Sequence, residues 1–297
     1  MTSGIDRRRH ATRRRCVLRI VFALLVLAIP RPLSGQTPDR PVVVRIEGAT
    51  RDELAEIAQW VDVWHIETET QTAVAAVRDG ERRWLEAQGF HISEAPARNA
   101  APLTIPDYPC YRTVAELDAQ IARWEADYPH LVERLTIGES YEKRALTVLR
   151  LGAQPDDPAH PTLFLMAGVH GRELISNEVA ASFVERLLTR DGRDADVTWL
   201  LDHHVIDVLI TANPDGHVRN EAGAPWAYWR KNANPTYGCE WGKYGVDLNR
   251  NSSFQWESSD VDVPDRFCRE TYPGPSASSE PETDAIETYV HQIFPDQ

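Results

Sequence analysis

Long apolar runs are scarce in this chain. The longest, Ile20–Ile29, has ten residues. That is about half of what a helix needs to cross a hydrocarbon core of about 30 Å, so it is too short for a membrane anchor. Positive charge is also in deficit. Lys and Arg total 32 against 45 Asp and Glu, a formal net charge of −13. An acidic chain is a poor partner for nucleic acid or for anionic membrane, and both are excluded as ligands here. Cysteine is the third shortage. Of four, Cys16 lies in the leading segment described next, which leaves Cys110, Cys239 and Cys268. Three thiols cannot all pair within one chain.

The opening residues carry the opposite charge. Residues 1–35 contain eight Arg and a single acid, Asp6. Removing that +7 from −13 leaves −20. The basic stretch precedes the ten-residue apolar run, and small residues follow near Ser34 and Gly35. This order of n-region, h-region and cleavage zone reads as a secretory signal, with a twin-arginine route left open. The expected destination is outside the cytoplasm, extracellular or periplasmic, where disulfides form, and no stable membrane insertion is expected once the signal is removed.

Residues 41–93 read as a small unit of their own. Strand-like Val42–Ile46, a helix over Arg51–Trp60 capped by Thr50, strands over Val61–Ile66 and Gln71–Val77, a helix over Glu81–Gln88 and a short strand at Phe90–Ile92 give the order β-α-β-β-α-β of a ferredoxin-like module. It contains no cluster of catalytic-type groups. Residues 94–109 are rich in Ala and Pro and read as an exposed linker and cleavage zone.

The remainder, 110–297, alternates strands with helices. Thr113 and Glu116 form a capping box for a helix ending before Pro129, with Leu117, Ile121 and Trp124 on one stripe. Strands are expected at Leu131–Ile137, Ala145–Gly152, Thr162–Ala167 and His204–Thr211, and helices at Ser176–Leu188 and Pro281–Ile293. The pattern predicts an α/β fold, a mixed central β-sheet with helices on both faces. Active loops are expected at the carboxyl ends of its central strands. Residues 217–276 have little periodicity, which in a compact domain often marks function.

Three sets of residues could do chemistry. His170 and Glu173 follow the buried-type strand at Thr162–Ala167, and neutral imidazole and carboxylate are both good zinc ligands. The alternative is a surface histidine beside a helix N-terminal glutamate. Arg230 lies among aromatics in Trp226–Asn232, where a rigid guanidinium can polarise a carbonyl or bind a carboxylate; a solvated basic turn is the alternative. In Gly245–Asn251, Arg250 can grip a carboxylate bidentately, Asn249 adds an amide donor, and Asp247 can accept the second ring N–H of a ligand histidine.

Seven segments in order carry a family resemblance. Tyr111 with its helix, Gly138–Arg144, Ala167–Glu173, Asn213–Gly216, Trp229–Asn232, Gly245–Arg250 and Glu270–Gly274 make residues 107–297 resemble a secreted bacterial zinc metallocarboxypeptidase of the carboxypeptidase A/T type. The resemblance implies zinc as cofactor, His170 and Glu173 as ligands, and Arg230 as the group that polarises the scissile carbonyl. It implies that Asn249 and Arg250 bind the terminal carboxylate, that Arg172 lines the next subsite and that Asp247 orients His170. It also implies a Cys239–Cys268 disulfide, a monomer, peptide or protein C-termini as substrates, and a front module acting as a propeptide that covers the cleft until cleaved. The family's third zinc ligand, capping Tyr and general-base Glu would follow the helix at Pro281–Ile293 and have no counterpart in this sequence, so the expectation is a C-terminally incomplete domain without peptidase activity of its own. A non-catalytic protein that binds peptide C-termini and a zinc amidase or deacylase acting on cell-wall peptides are the alternative readings; the Asn249/Arg250 pair favours peptide C-termini over the latter.

Overall fold

In the computed structural model the described residues are 42–67, 70–95, 111–155, 157, 159–221, 229–236, 244–256 and 266–295. The expected signal, most of the linker, Cys110 and Cys239 lie outside them. Among the described residues no helix is long and apolar enough to cross a membrane.

The front module consists of β1 (Val42–Glu47), α1 (Arg51–Trp60), β2 (Asp62–Glu67), β3 (Thr72–Val77), α2 (Asp79–Ala87) and β4 (His91–Glu94). Its sheet has the order β2-β3-β1-β4, antiparallel throughout. The capping box at Thr50 and Glu53 is formed, with the Thr50 N–H donating to Glu53 Oε2 at 2.7 Å. Val44, Ile46, Leu54, Ile57, Ala75 and Leu85 form a core confined to this module.

The second sheet is built from β5 (Val132–Glu139), β6 (Ala145–Leu151), β7 (Thr162–Met166) and β8 (Val205–Leu209) in the order β5-β6-β8-β7. β5, β6 and β8 pair antiparallel, and β7 pairs parallel to β8. This is the mixed sheet that the alternating pattern predicts. One face packs against α3 (Val114–Asp127), α4 (Leu174–Arg190) and α5 (Ala195–His203), through Leu117, Ile121, Trp124, Val184, Leu187 and Leu201. The other receives α8 (Pro281–Ile293) through Tyr289 and Ile286. Beneath α8, Asp207 is a fully buried acid, held by Arg150 at 3.1 Å and by the Tyr289 hydroxyl at 2.6 Å.

Several local expectations change. β7 reads as a buried strand, yet Leu163 and Met166 are 47% and 46% exposed. β7 is the sheet's outermost strand and pairs only with β8 among the described residues. α5 was not anticipated. Its Asp194 cap and its two buried apolar residues, Val197 and Leu201, four apart, carry the helical signal in a short segment. The segment that follows Asn213 and enters the stretch of little periodicity is helical, α6 (Pro214–Glu221), with Pro at the first helical position, where its missing N–H costs nothing. His217 is therefore helical and buried, and its Nε2–H donates to the Arg112 carbonyl at 3.0 Å.

The loops leaving β7 and β8 meet without side-chain spacing. A methyl group at Gly171 would lie 2.2 Å from the Gly216 carbonyl carbon, in backbone that cannot swing aside. This contact sets how close the His170 loop comes to the Asn213–Gly216 turn. Gly171→Ala is expected to lower stability by about 1–3 kcal/mol through overpacking, seen as a reduced Tm in thermal unfolding followed by circular dichroism.

Candidate active site

Four loops converge beyond the carboxyl ends of β7 and β8. Asn213, fully buried, ties three of them: its Nδ2 donates to the carbonyls of Val169 at 3.1 Å, Arg230 at 3.3 Å and Lys231 at 3.1 Å. The Gly171 N–H adds a bond to the Arg230 carbonyl at 3.0 Å. The fourth loop leads into α7 (Leu248–Asn251), whose N-cap Asp247 accepts from the Asn249 N–H at 3.0 Å.

Asp247 also organises the centre. It is fully buried, and the His170 Nε2–H donates to its Oδ1 at 3.2 Å while Arg230 donates to Oδ2 through Nε at 3.2 Å and Nη2 at 2.9 Å. This pairing turns the other imidazole nitrogen, Nδ1, toward Glu173 Oε1, 2.8 Å away. Two zinc bonds of ordinary length at a tetrahedral angle would set such a nitrogen and oxygen about 3.4 Å apart, so the pair is of the right chemistry and would part by about half an ångström to share a metal. Glu173 caps α4 rather than lying inside it. Among the described residues no group of three or more His, Cys, Asp and Glu side chains is arranged to hold a metal ion. His217 and His291 do not join the pair: the first is sequestered under α3 and the second is exposed on α8.

The charges answer to burial and to each other. Burial works against the Asp247 carboxylate, but the Arg230 charge and the His170 bond outweigh it and hold the acid far below the usual range. Burial likewise disfavours protonated His170, and the bonds to Asp247 and Glu173 reverse that and raise its pKa. Burial would raise Glu173, whereas its bond to His170 brings it down.

A cavity of about 500 Å³ collects the predicted site residues. His170, Arg172, Glu173, Arg230, Asn249 and Arg250 line one side; Ala58 and Val61–Trp64 of the front module line the other. The sequence reading did not foresee how the module reaches in. Asp62 forms ion pairs with both Arg172 and Arg230, the latter at 2.7 Å, and all three are nearly buried. Arg250 donates to the Ala58 carbonyl at 3.3 Å. Farther out, Arg78 of the module donates through Nε to Glu270 Oε1 at 3.0 Å, and Arg269 lies 3.7 Å over the ring of Trp60. The available signal for Asp62 was a carboxylate set inside the apolar stretch Val61–Ile66.

A family model described as zinc carboxypeptidase matches residues 117–296, more than half of the chain. The chain belongs to the zinc carboxypeptidase family. It is 31% identical over 191 residues to carboxypeptidase A5 of Homo sapiens, covering 62% of this chain and 40% of that protein. Human carboxypeptidase B is 30% identical over 200 residues, covering 67% and 46%. This zinc carboxypeptidase relative thus spans less than half the length of the curated proteins it matches. In fold it is similar to the crystal structure of carboxypeptidase A from Helicoverpa armigera, with a TM-score of 0.68 at 23% identity over 86% of this chain and 67% of that one. It is also similar to bovine thrombin-activatable fibrinolysis inhibitor, with a TM-score of 0.52 at 28% identity over 62% and 57%. Cys268 is disulfide-bonded, and its partner lies outside the described residues.

Replacing Asp247 with Asn removes the charge that favours the imidazolium. The pKa of His170 is then expected to fall, measurable by following its ring resonances in an NMR pH titration. A raised folded pKa contributes stability that is present below the unfolded value, about 6.5, and lost as pH rises through the folded one. The wild-type chain should therefore lose this contribution at a higher pH than the variant.

Proposed function

We propose that the site recognises the free C-terminus of a peptide and belongs to a zinc-dependent carboxypeptidase that hydrolyses the terminal peptide bond. The observation that carries this is the convergence of a His–Glu metal pair with Arg172, Arg230, Asn249 and Arg250 on one cavity. Zinc bound at His170 and Glu173 would supply Lewis acidity toward the peptide carbonyl and an acidified water. The chain's own groups do the rest. Asp247 fixes the His170 ring so that Nδ1 faces the metal position. Arg230, already rigid on Asp247, lies where negative charge develops on the carbonyl oxygen, so its stabilisation needs no reorganisation during reaction. Asn249 and Arg250 take the terminal carboxylate, which restricts attack to the last bond of a chain. Arg172 faces the residue before it.

The front module acts in this reading as a propeptide-type cover. Its Asp62 carboxylate occupies the two guanidiniums that a peptide would use. The basic leader and the disulfide at Cys268 support export as the setting. A second reading has its own observation. Asn249 and Arg250 line the cavity whatever holds the metal, so a protein that binds peptide C-termini without hydrolysing them is the alternative.

Titration calorimetry with N-acetyl-Gly-Gly-Phe and with its C-terminal amide tests the shared core of both readings. The acid should bind and the amide should not. Arg250→Ala is expected to weaken the acid by about tenfold or more, and Asp62→Asn, which loosens the cover, to strengthen it by a similar factor. Equal affinity for acid and amide would remove the carboxylate-recognition reading. Equilibrium dialysis with Zn²⁺ on the wild type and His170→Ala then measures the metal pair.

A further inference from the structure

The Glu270–Gly274 segment has no task in the site as described so far. Glu270 is 4% exposed, and its two oxygens face different ways. Oε2 accepts from Arg172 Nη1 at 3.0 Å, within the site. Oε1 accepts from Arg78 Nε at 3.0 Å and from Arg78 Nη2, both from the front module. Lys231 adds a third positive charge nearby, its ammonium donating to the Phe267 carbonyl at 3.1 Å. Arg172 itself is enclosed, and its guanidinium is divided between Glu270 and Asp62. A buried guanidinium is held in the orientation its carboxylate partners dictate. Of those partners, Asp62 leaves with the module and Glu270 stays.

We propose that Glu270 is a positioning residue for Arg172 and, through its other oxygen, the anchor by which Arg78 holds the front module over the site. One carboxylate thereby links the cover to the subsite. With the module seated, Glu270 serves Arg78 and Arg172 together. With the module lifted, Glu270 keeps Arg172, with Lys231 still nearby, and Arg172 is aimed at the peptide by the group that had tethered the cover. This rests on the proposed reading that Arg172 faces a bound peptide.

The two bonds make opposite demands on affinity, which separates this role from a merely structural one. In the full chain, hydrogen exchange over residues 60–66 reports the seating of the module, and calorimetry with N-acetyl-Gly-Gly-Phe reports the subsite. Arg78→Gln cuts only the anchor: exchange over 60–66 should accelerate and the peptide should bind about fivefold to tenfold tighter. Glu270→Gln cuts both bonds: exchange should also accelerate, but the peptide should bind about tenfold weaker than it does to Arg78→Gln. Glu270→Asp keeps the charge but shortens the reach. It should fall between the wild type and Glu270→Gln in exchange and carries the same comparison if Glu270→Gln does not fold. Accelerated exchange with affinities that rise together in the Arg78 and Glu270 variants would overturn the positioning role. Unchanged exchange in Arg78→Gln would overturn the anchor. If wild type, Arg78→Gln and Asp62→Asn all fail to bind the peptide, the proposed function fails instead, and the exchange data alone then decide the anchor.

Discussion

Everything at the mouth of this fold depends on a buried sequence of alternating charge. It runs from His170 to Asp247, on to Arg230, to Asp62, to Arg172, to Glu270 and to Arg78, with each neighbouring pair in contact. No member could be buried alone, because an unpaired charge in a low-dielectric interior costs several kcal/mol or more. Together they neutralise one another, and the geometry of each is fixed by the next. Glu270 shows the effect on a single group: burial opposes its ionisation, but the Arg78 and Arg172 charges bring its pKa to about 2. Lys231, fully enclosed with Arg78 nearby, is pushed down to about 8.

The scaffold beneath the charges has a simpler logic. The mixed sheet buries apolar side chains on both faces, and the loops that leave its strands are pinned by amide side chains rather than by apolar packing. Asn213 holds three carbonyls, Asn251 holds those of Pro273 and Ser276, and Asn232 accepts from the Val246 N–H. A buried amide with its bonds made is specific in a way that a leucine is not, because each donor must meet its acceptor in direction as well as distance. The described loop residues around 230–232, 246 and 273–276 are therefore held in place without any periodic pattern.

How much of this could be read from the sequence follows from the range of each interaction. The cap at Thr50, the capping box at Thr113, the stripe of Leu117, Ile121 and Trp124, and Pro281 opening α8 are local signals, and the elements they predict are present. The order of the front module was legible for the same reason. Helix α5 was missed because nine residues give too few turns for a clear period. The grouping of His170, Arg172, Glu173, Arg230, Asn249 and Arg250 was legible as an ordered set of segments, although nothing local tells Arg230 that it will meet Asp247. What could not be read was Asp62 meeting residues more than a hundred positions away, since a single acid in a strand has no spacing to betray its partner.

The three apolar clusters each lie wholly on one side of the boundary between module and sheet. Among the described residues, what crosses that boundary is charge and two arginines, one directed at a backbone carbonyl and one at a ring, with no shared apolar cluster. Such a joint is mechanically brittle. Charge pairs grip strongly only while water is kept out, and their attraction falls several-fold once it enters and the effective dielectric rises, whereas apolar surfaces still attract one another in water. In the reading proposed above, the module would come away as one piece, because its apolar core is entirely its own.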